Sequence, residues 1–237
     1  MQSQKVTSAR SISLNKAFPS AANRYDHYAT LQRSNSSLKA NVFCVTRNGR
    51  SMVVKDYSHA RPLIRYTLCK VLIYRETAAL KKLQGFDAVP EFYGRYGQHG
   101  FSMQALCGER PTRELLADQA SLREKLRNAV NSFHAAGVTH NDFRMANMLL
   151  DKQGQLFIID YASAFQRDSD EKISFPKPLK HLLFRILRIS DHAKMLRFLQ
   201  LSTSFKASHK EQQVLNRAKR LHILADCWKT LRRMAKG

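Results

Sequence analysis

The run His140-Asn141-Asp142-Phe143-Arg144-Met145-Ala146-Asn147, with Ile158-Ile159-Asp160 downstream, constrains this chain more than any other segment. Asp142 and Asn147 are five residues apart, and Asp142 and Asp160 eighteen. Between them, Met148-Leu149-Leu150, a turn at Asp151-Lys152-Gln153-Gly154 and Leu156-Phe157-Ile158-Ile159 predict a tight β-hairpin. A hairpin returns on itself, so Asn147 near its start and Asp160 at its end become neighbours. Two oxygen donors side by side suit a hard cation such as Mg²⁺. Asp142, just upstream, is then placed to accept a proton from an attacking hydroxyl. His-x-Asp by itself is an ordinary loop sequence. The weight rests on the full pattern, set between a helix ending at Gly137 and the hairpin.

This pattern resembles the catalytic loop of the protein-kinase-like superfamily, H-x-D-x-x-x-x-N with a metal-binding Asp after the next strand pair. The resemblance implies an α+β, two-lobed protein-kinase-like fold, with a small β-rich N-lobe and a short helical C-lobe. It implies ATP and Mg²⁺ as cofactors, Asp142 as catalytic base, Asn147 and Asp160 as metal ligands, and His140 as a structural support of the loop. Arg144, two residues past the base, would either steady the transferred phosphoryl group or pair with a neighbouring acid.

The upstream half supplies matching parts. Ser51-Met52-Val53-Val54-Lys55 is a short apolar strand ending on a lysine, and it resembles the strand whose lysine touches the nucleotide phosphates. Tyr74 to Leu83 has helical spacing, with Ala79, Leu80 and Leu83 on one face. Glu76 lies on that helix, twenty-one residues after Lys55, and is the partner expected for it. Lys70 is a weaker candidate, because no comparable strand precedes it. Gly100 to Gly108 reads as a strand running into a linker. It resembles the hinge between the lobes, where backbone groups of Gln104 and Leu106 would meet the adenine. Gln119 to Ala136 is helical by pattern, with Leu122, Leu126, Val130 and Phe133 forming a core stripe that delivers the chain to His140.

Departures from the pattern matter as much. The loop expected to cover the nucleotide is Ser34-Asn35-Ser36-Ser37-Leu38-Lys39-Ala40-Asn41, which has no glycine and so lacks the easy positive φ that glycine gives. Tyr161-Ala162 follows Asp160 where Phe-Gly is usual. There is no Ala-Pro-Glu motif, and seventy-seven residues follow Asp160. The chain therefore looks like a compact, atypical member. Three groups compete: bacterial lipopolysaccharide core kinases acting on heptose or Kdo sugars, RIO-like atypical protein kinases, and aminoglycoside or choline-type phosphotransferases. A pseudokinase scaffold bound to an anionic membrane is the alternative from a different class. It is motivated by the glycine-free loop and opposed by the joint presence of Lys55, Glu76, Asp142, Asn147 and Asp160.

Charge favours the first group. Forty Lys and Arg against eighteen Asp and Glu leave a formal net charge of +22. Such an excess implies an anionic partner, here an anionic glycolipid or membrane surface, with a protein substrate as the second option. Lys177, Lys180, Arg185, Arg188, Lys194 and Arg197 alternate with Leu182, Leu183, Ile186, Leu187 and Ile189, whose apolar side is expected to pack on the catalytic lobe. Arg217, Lys219, Arg220, Lys229, Arg232, Arg233 and Lys236 surround Leu221, Leu224, Trp228 and Leu231 in a second basic helix. That helix is a candidate for lipid contact. Nucleic acid is not indicated: no zinc-finger spacing, RNP-type aromatic motif or helix-turn-helix is recognisable.

The remaining bounds are simple. The expected division is an N-terminal extension over residues 1–30, an N-lobe over 31–104 and a C-lobe over 105–237. Cys44, Cys69, Cys107 and Cys227 are scattered without C-x-x-C spacing and read as reduced thiols. Residues 1–30 lack the continuous apolar core of a secretory signal, and no stretch approaches the length of a spanning helix. The expectation is a cytoplasmic protein, peripheral on the inner face of the cytoplasmic membrane.

Overall fold

The structure, a computed structural model, describes residues 27–168, 176–201 and 205–234. It is a mixed α+β chain that divides into two compact units. Of the described residues, one comprises 27–73 together with Phe92–Ala105. The other comprises Tyr74–Glu91 and the described residues from Leu106 onward.

The first unit is built on a five-stranded antiparallel sheet. Its strands are β1 (His27–Gln32), β2 (Asn41–Arg47), β3 (Arg50–Asp56), β4 (Phe92–Tyr96) and β5 (Gly100–Gln104), in the order β1-β2-β3-β5-β4. Asn48 and Gly49, both at positive φ (51° and 73°), make the two-residue turn that sets Arg47 opposite Arg50. Both central positions of such a turn need positive φ, which Asn-Gly supplies at low cost. The resulting register buries Phe43, Val45 and Val54 together, with Met52 and Tyr96 packed against them. It also sets Lys55 between Val42 and Phe101. Gly100 pairs with Asp56, and a Cβ there would come 2.7 Å from the Lys55 carbonyl oxygen, so only glycine lets β5 approach this closely.

After β3 the chain enters a continuous helical run: α1 (Pro62–Ile64), one wide π-type turn over Arg65–Cys69, and α2 (Lys70–Lys82). Lys70 thus opens a helix. Glu76 and Leu80 on α2 are fully buried, as is Leu83 just beyond it.

The second unit holds α3 (Arg113–Asp118), α4 (Ala120–Ala135), α5 (Lys177–Leu199), α6 (His209–Met234) and two short ribbons. One ribbon pairs β6 (Val138–Thr139) with β9 (Phe165–Gln166), and the other pairs β7 (Met148–Leu150) with β8 (Leu156–Ile158). The Thr112 hydroxyl caps α3 by accepting from the Leu115 N–H at 3.2 Å. α4 buries Leu122, Leu126, Ala129, Val130 and Phe133 along one stripe, as its spacing predicts. Burying five such side chains removes on the order of 10 kcal/mol of apolar exposure before entropy is counted, so α4 anchors this unit.

α5 departs from its sequence reading. Leu182 and Ile186, expected on the packed side, are 52% and 36% exposed, whereas Lys180, expected on the charged side, is 7% exposed. The buried positions are Lys180, Phe184, Asp191, Ala193, Met195, Leu196 and Leu199. The helix packs mainly through its C-terminal half, where four buried apolar residues fall within Ala193–Leu199, and that docking sets the rotation of the N-terminal half. In α6, Arg217, Lys219 and Arg220 are exposed and Ala218 is buried. The side chains of Leu224, Trp228, Lys229, Leu231, Arg232 and Arg233 lie outside the described residues, as do Cys227, Lys236 and residues 1–26 of the N-terminal extension. Among the described residues no helix is long and apolar enough to cross a membrane.

Candidate active site

Gly137, at φ 74°, turns the chain out of α4 and into β6, which delivers it to His140. The imidazole is fully buried. Its Nε2 lies 3.1 Å from the Ile159 carbonyl oxygen, and its Nδ1 3.3 Å from the Asp142 N–H nitrogen. A carbonyl can only accept, so Nε2 carries the proton and Nδ1 accepts from Asp142. This is the neutral ring. Burial pushes the His140 pKa below the ordinary range, against the pull of Asp191, the Ile159 carbonyl, Asp160 and Asp142. Phe143 and Tyr161 enclose the ring at centroid distances of 4.8 and 4.9 Å.

The backbone next to His140 is held from α5. Asp191, fully buried, accepts from the N–H groups of His140 at 2.7 Å and Asn141 at 2.9 Å, and His134 Nε2 lies 3.5 Å from the same carboxylate. Lys194 Nζ donates to the Asn141 carbonyl at 2.6 Å. Asn141 sits in the left-handed region at φ 66°, and its side-chain amide donates to the Ser163 carbonyl at 2.9 Å. A non-glycine residue in this conformation costs of order 1–3 kcal/mol and persists only where its surroundings over-determine it. Here one carboxylate, one ammonium and one amide contact do so.

Asp142 and Asn147 meet directly. Asn147 Nδ2 donates to the Asp142 carboxylate at 2.8 Å and to the Asp142 carbonyl at 3.0 Å. Arg144 Nε lies 3.1 Å from the same carboxylate oxygen, Oδ2. Both of these partners converge on one oxygen, Oδ2. Asn147 is 5% exposed on a single 3₁₀ turn (Met145–Asn147), and its carbonyl accepts from the Ile159 N–H at 2.9 Å. From there the β7–β8 register, Met148 with Ile158 and Leu150 with Leu156, fixes the return. Asp151 Oδ1 closes the turn by accepting from the N–H groups of Gln153 and Gln155 at 2.9 and 2.7 Å. Asp160 follows two residues after Ile158, also in the left-handed region at φ 69°.

Glu76 and Tyr161 are both buried in this unit. The Tyr161 hydroxyl is held well above its ordinary pKa, by burial first and the Glu76 charge second. Arg75 Nη2 donates to the Ala164 carbonyl at 2.9 Å, tying α2 to the segment after Asp160. Leu106 begins the linker of this unit, which pairs through Glu109 with Leu150 of β7. Gly108 is required there, since a Cβ would meet the Leu150 carbonyl oxygen at 2.7 Å.

Lys55 and Gln104 belong to the first unit, on β3 and β5 respectively, and both are half-buried. The Ser34–Ala40 loop joins β1 to β2 and is tied by its own polar groups. The Ser34 N–H donates to Asn41 Oδ1 at 2.9 Å, the Ser36 N–H to the Ser34 hydroxyl at 3.1 Å, and the Cys69 thiol to the Ser37 carbonyl at 3.3 Å. Serine and asparagine side chains thus supply turn contacts in a loop without glycine.

Within the second unit, the side-chain oxygens of Asn147 and Asp160 are of the kind a hard cation such as Mg²⁺ takes. Among the described residues no cluster of three or more His, Cys, Asp or Glu side chains is able to hold a metal alone. Asn147, with its Nδ2 committed to Asp142, presents Oδ1 as its acceptor, and Asp160 adds a carboxylate. One or two protein oxygens are what Mg²⁺ uses when phosphates and water complete its shell. A separate cleft of about 380 Å³, lined by Phe86, Asp87, Lys125, Asn128, Ser132 and Gln155 among others, includes none of the expected site residues.

The sequence reading gives two residues no part in the loop's support: it places Lys194 among the outward charges and does not single out Asp191. One signal was available: Asp191 is the sole acid in the twenty-three residues of α5.

A histidine pair beside this support gives a pH prediction. The His192 ring meets the His134 ring at 4.6 Å, and burial, His134 and Arg188 lower its pKa from the ordinary 6.5 to about 4. The unfolded chain therefore binds a proton at higher pH than the folded one. The stability His192 gains from staying neutral is complete above about pH 6.5 and is lost as pH falls toward 4. Urea midpoints measured from pH 7.5 to pH 4.5 should fall more steeply for the native protein than for His192→Gln. Equal slopes would show that His192 does not titrate as stated.

No protein-family model matches this chain, and no curated protein matches it either.

Proposed function

We propose that the protein is a compact kinase of the protein-kinase-like superfamily that transfers the γ-phosphoryl group of ATP to a hydroxyl acceptor, a sugar of lipopolysaccharide core at the cytoplasmic membrane face. The observation that carries the reading is the direct Asp142–Asn147 hydrogen bond, within a loop whose backbone is gripped by Asp191 and whose following hairpin ends two residues before Asp160. In this reading the β-rich unit is the N-lobe and the helical unit the C-lobe.

The Asp142 carboxylate accepts the proton of the attacking hydroxyl, while Asn147 and Arg144 hold its Oδ2 and so fix the carboxylate plane. Lys55 binds the α- and β-phosphates, Glu76 orients it, and the backbone of Gln104 and Leu106 receives the adenine. Asn147 and Asp160 would hold Mg²⁺, and the chemistry the ion would supply is neutralisation of phosphate charge. Neutral His140 positions Asp142 through its N–H and the end of β8 through the Ile159 carbonyl.

The sugar acceptor is favoured over a protein acceptor by the basic surface, which suits a phosphate-rich glycolipid at an anionic membrane. The test is transfer of label from γ-labelled ATP with Mg²⁺ to purified lipopolysaccharide core, native protein beside Asp160→Ala. Labelled glycolipid, reduced at least about a thousandfold in the variant, is the expected result. Label on protein alone would make it a RIO-like protein kinase. Absence of nucleotide binding would leave a membrane-bound scaffold.

A further inference from the structure

We propose that the exposed apolar and basic face of the helical segment Arg61–Val71 is a docking surface for an anionic lipid bilayer. The proposal stands apart from the transfer chemistry, and it assigns the lipid contact to a segment of the first unit rather than to the basic helices α5 and α6.

The segment is unusual in what it shows to solvent. Leu63 is 78% exposed, Leu68 52%, Tyr66 50% and Val71 42%. Four large apolar or aromatic side chains within nine residues are far more than the scattered single leucines common on protein surfaces. Its other face is satisfied: Cys69 and Ile73 are fully buried, so the outward residues are not a core turned inside out. The wide turn over Arg65–Cys69 adds a residue to the helical repeat. It shifts the phase, so that Leu68 joins Leu63 outside while Cys69 stays in.

The charge around these residues has one sign. Arg61 and Lys70 are exposed and Arg65 is half-buried, and no Asp or Glu occurs between Asp56 and Glu76. Both of those flanking acids are themselves buried, at 3% and 0% exposure. The guanidinium of Arg65 and the ammonium of Lys70 lie over the Tyr66 ring at 5.2 and 5.3 Å. The His99 ring meets Tyr66 edge-on at 5.1 Å, and its pKa is lowered by burial and then by Arg65, Lys70 and Arg95, against Asp56. Positive charge is thus concentrated on the patch itself.

Leucines to enter the acyl boundary, a tyrosine whose ring suits the headgroup level, and flanking Arg and Lys for anionic headgroups are the composition of an interfacial helix. A protein partner of ordinary surface would leave the three cations unmatched. An RNA would leave the leucines in water. An anionic bilayer satisfies both at once.

The test is co-sedimentation of the purified full chain, without nucleotide, with phosphatidylcholine vesicles and with phosphatidylcholine vesicles containing phosphatidylglycerol. Native protein should bind the anionic vesicles only. Leu63→Gln with Leu68→Gln should lower the bound fraction about tenfold, and Arg61→Gln with Lys70→Gln should do so comparably. All four residues are exposed, so thermal midpoints should match the native protein. Leu182→Gln with Ile186→Gln, on the exposed face of α5, should bind as the native protein does. The proposal is overturned if native protein ignores anionic vesicles, or if the leucine pair can be replaced without loss of binding. It is equally overturned if only the α5 pair matters. Conversion of a dimer to a monomer by the leucine pair, with vesicle binding intact, would assign the face to a second copy instead.

Discussion

Asp142→Asn is expected to lower phosphoryl transfer about a thousandfold while leaving ATP affinity within about twofold. The carboxylate has two engagements on Oδ2, from Asn147 Nδ2 at 2.8 Å and Arg144 Nε at 3.1 Å. An amide oxygen is able to accept both, so the substitution keeps the volume and much of the geometry. What it removes is a group that takes up a proton, and the amide offers no acceptor of comparable basicity. The loss should therefore fall on kcat and not on nucleotide binding, measured separately by calorimetry. A variant with native kcat would remove Asp142 from the chemistry. A variant that also loses ATP would mean that the substitution has collapsed the loop, and Asp142→Glu would then separate the two effects.

The second large effect is structural and concerns a residue outside the chemistry. Asp191→Ala is expected to cost roughly 3–5 kcal/mol of stability and to abolish transfer. The carboxylate is fully buried and is the acceptor for two backbone N–H groups, at 2.7 and 2.9 Å, with His134 at 3.5 Å. Alanine leaves those donors buried with nothing to accept them, each at about 1–3 kcal/mol. It also releases the left-handed Asn141, and with it the placement of Asp142. Asp191→Asn retains one acceptor oxygen and should recover part of the stability. Urea denaturation of the three proteins checks this order, and a native midpoint for Asp191→Ala would show that the loop is held by other means.

The hairpin and the lysine strand were legible because they are local. Met148 to Ile158 carries two short apolar runs, Met148-Leu149-Leu150 and Leu156-Phe157-Ile158, around an Asp151–Gly154 turn, and β7 and β8 pair across it. Ser51 to Lys55 falls within β3, and the stripe of α4 is buried where its spacing puts it. The rotation of α5 was not legible. Its apolar residues occur on more than one side, so periodicity admits several faces, and docking of the Ala193–Leu199 end selects one. Lys180 and Lys194 turned inward for the same reason, and Leu182 and Ile186 outward.

By itself the sequence determined which groups stand five and eighteen residues apart, and that a tight hairpin lies between them. Those are matters of chain length and turn chemistry, decided within about twenty residues. Only the tertiary structure decided what holds the loop. Asp191 lies fifty residues from Asn141, and a carboxylate's choice of backbone partner at that separation depends on how a whole helix is docked. It also decided that Leu63 and Leu68 face outward, because exposure is a property of what is not packed above a side chain, and no local pattern records that.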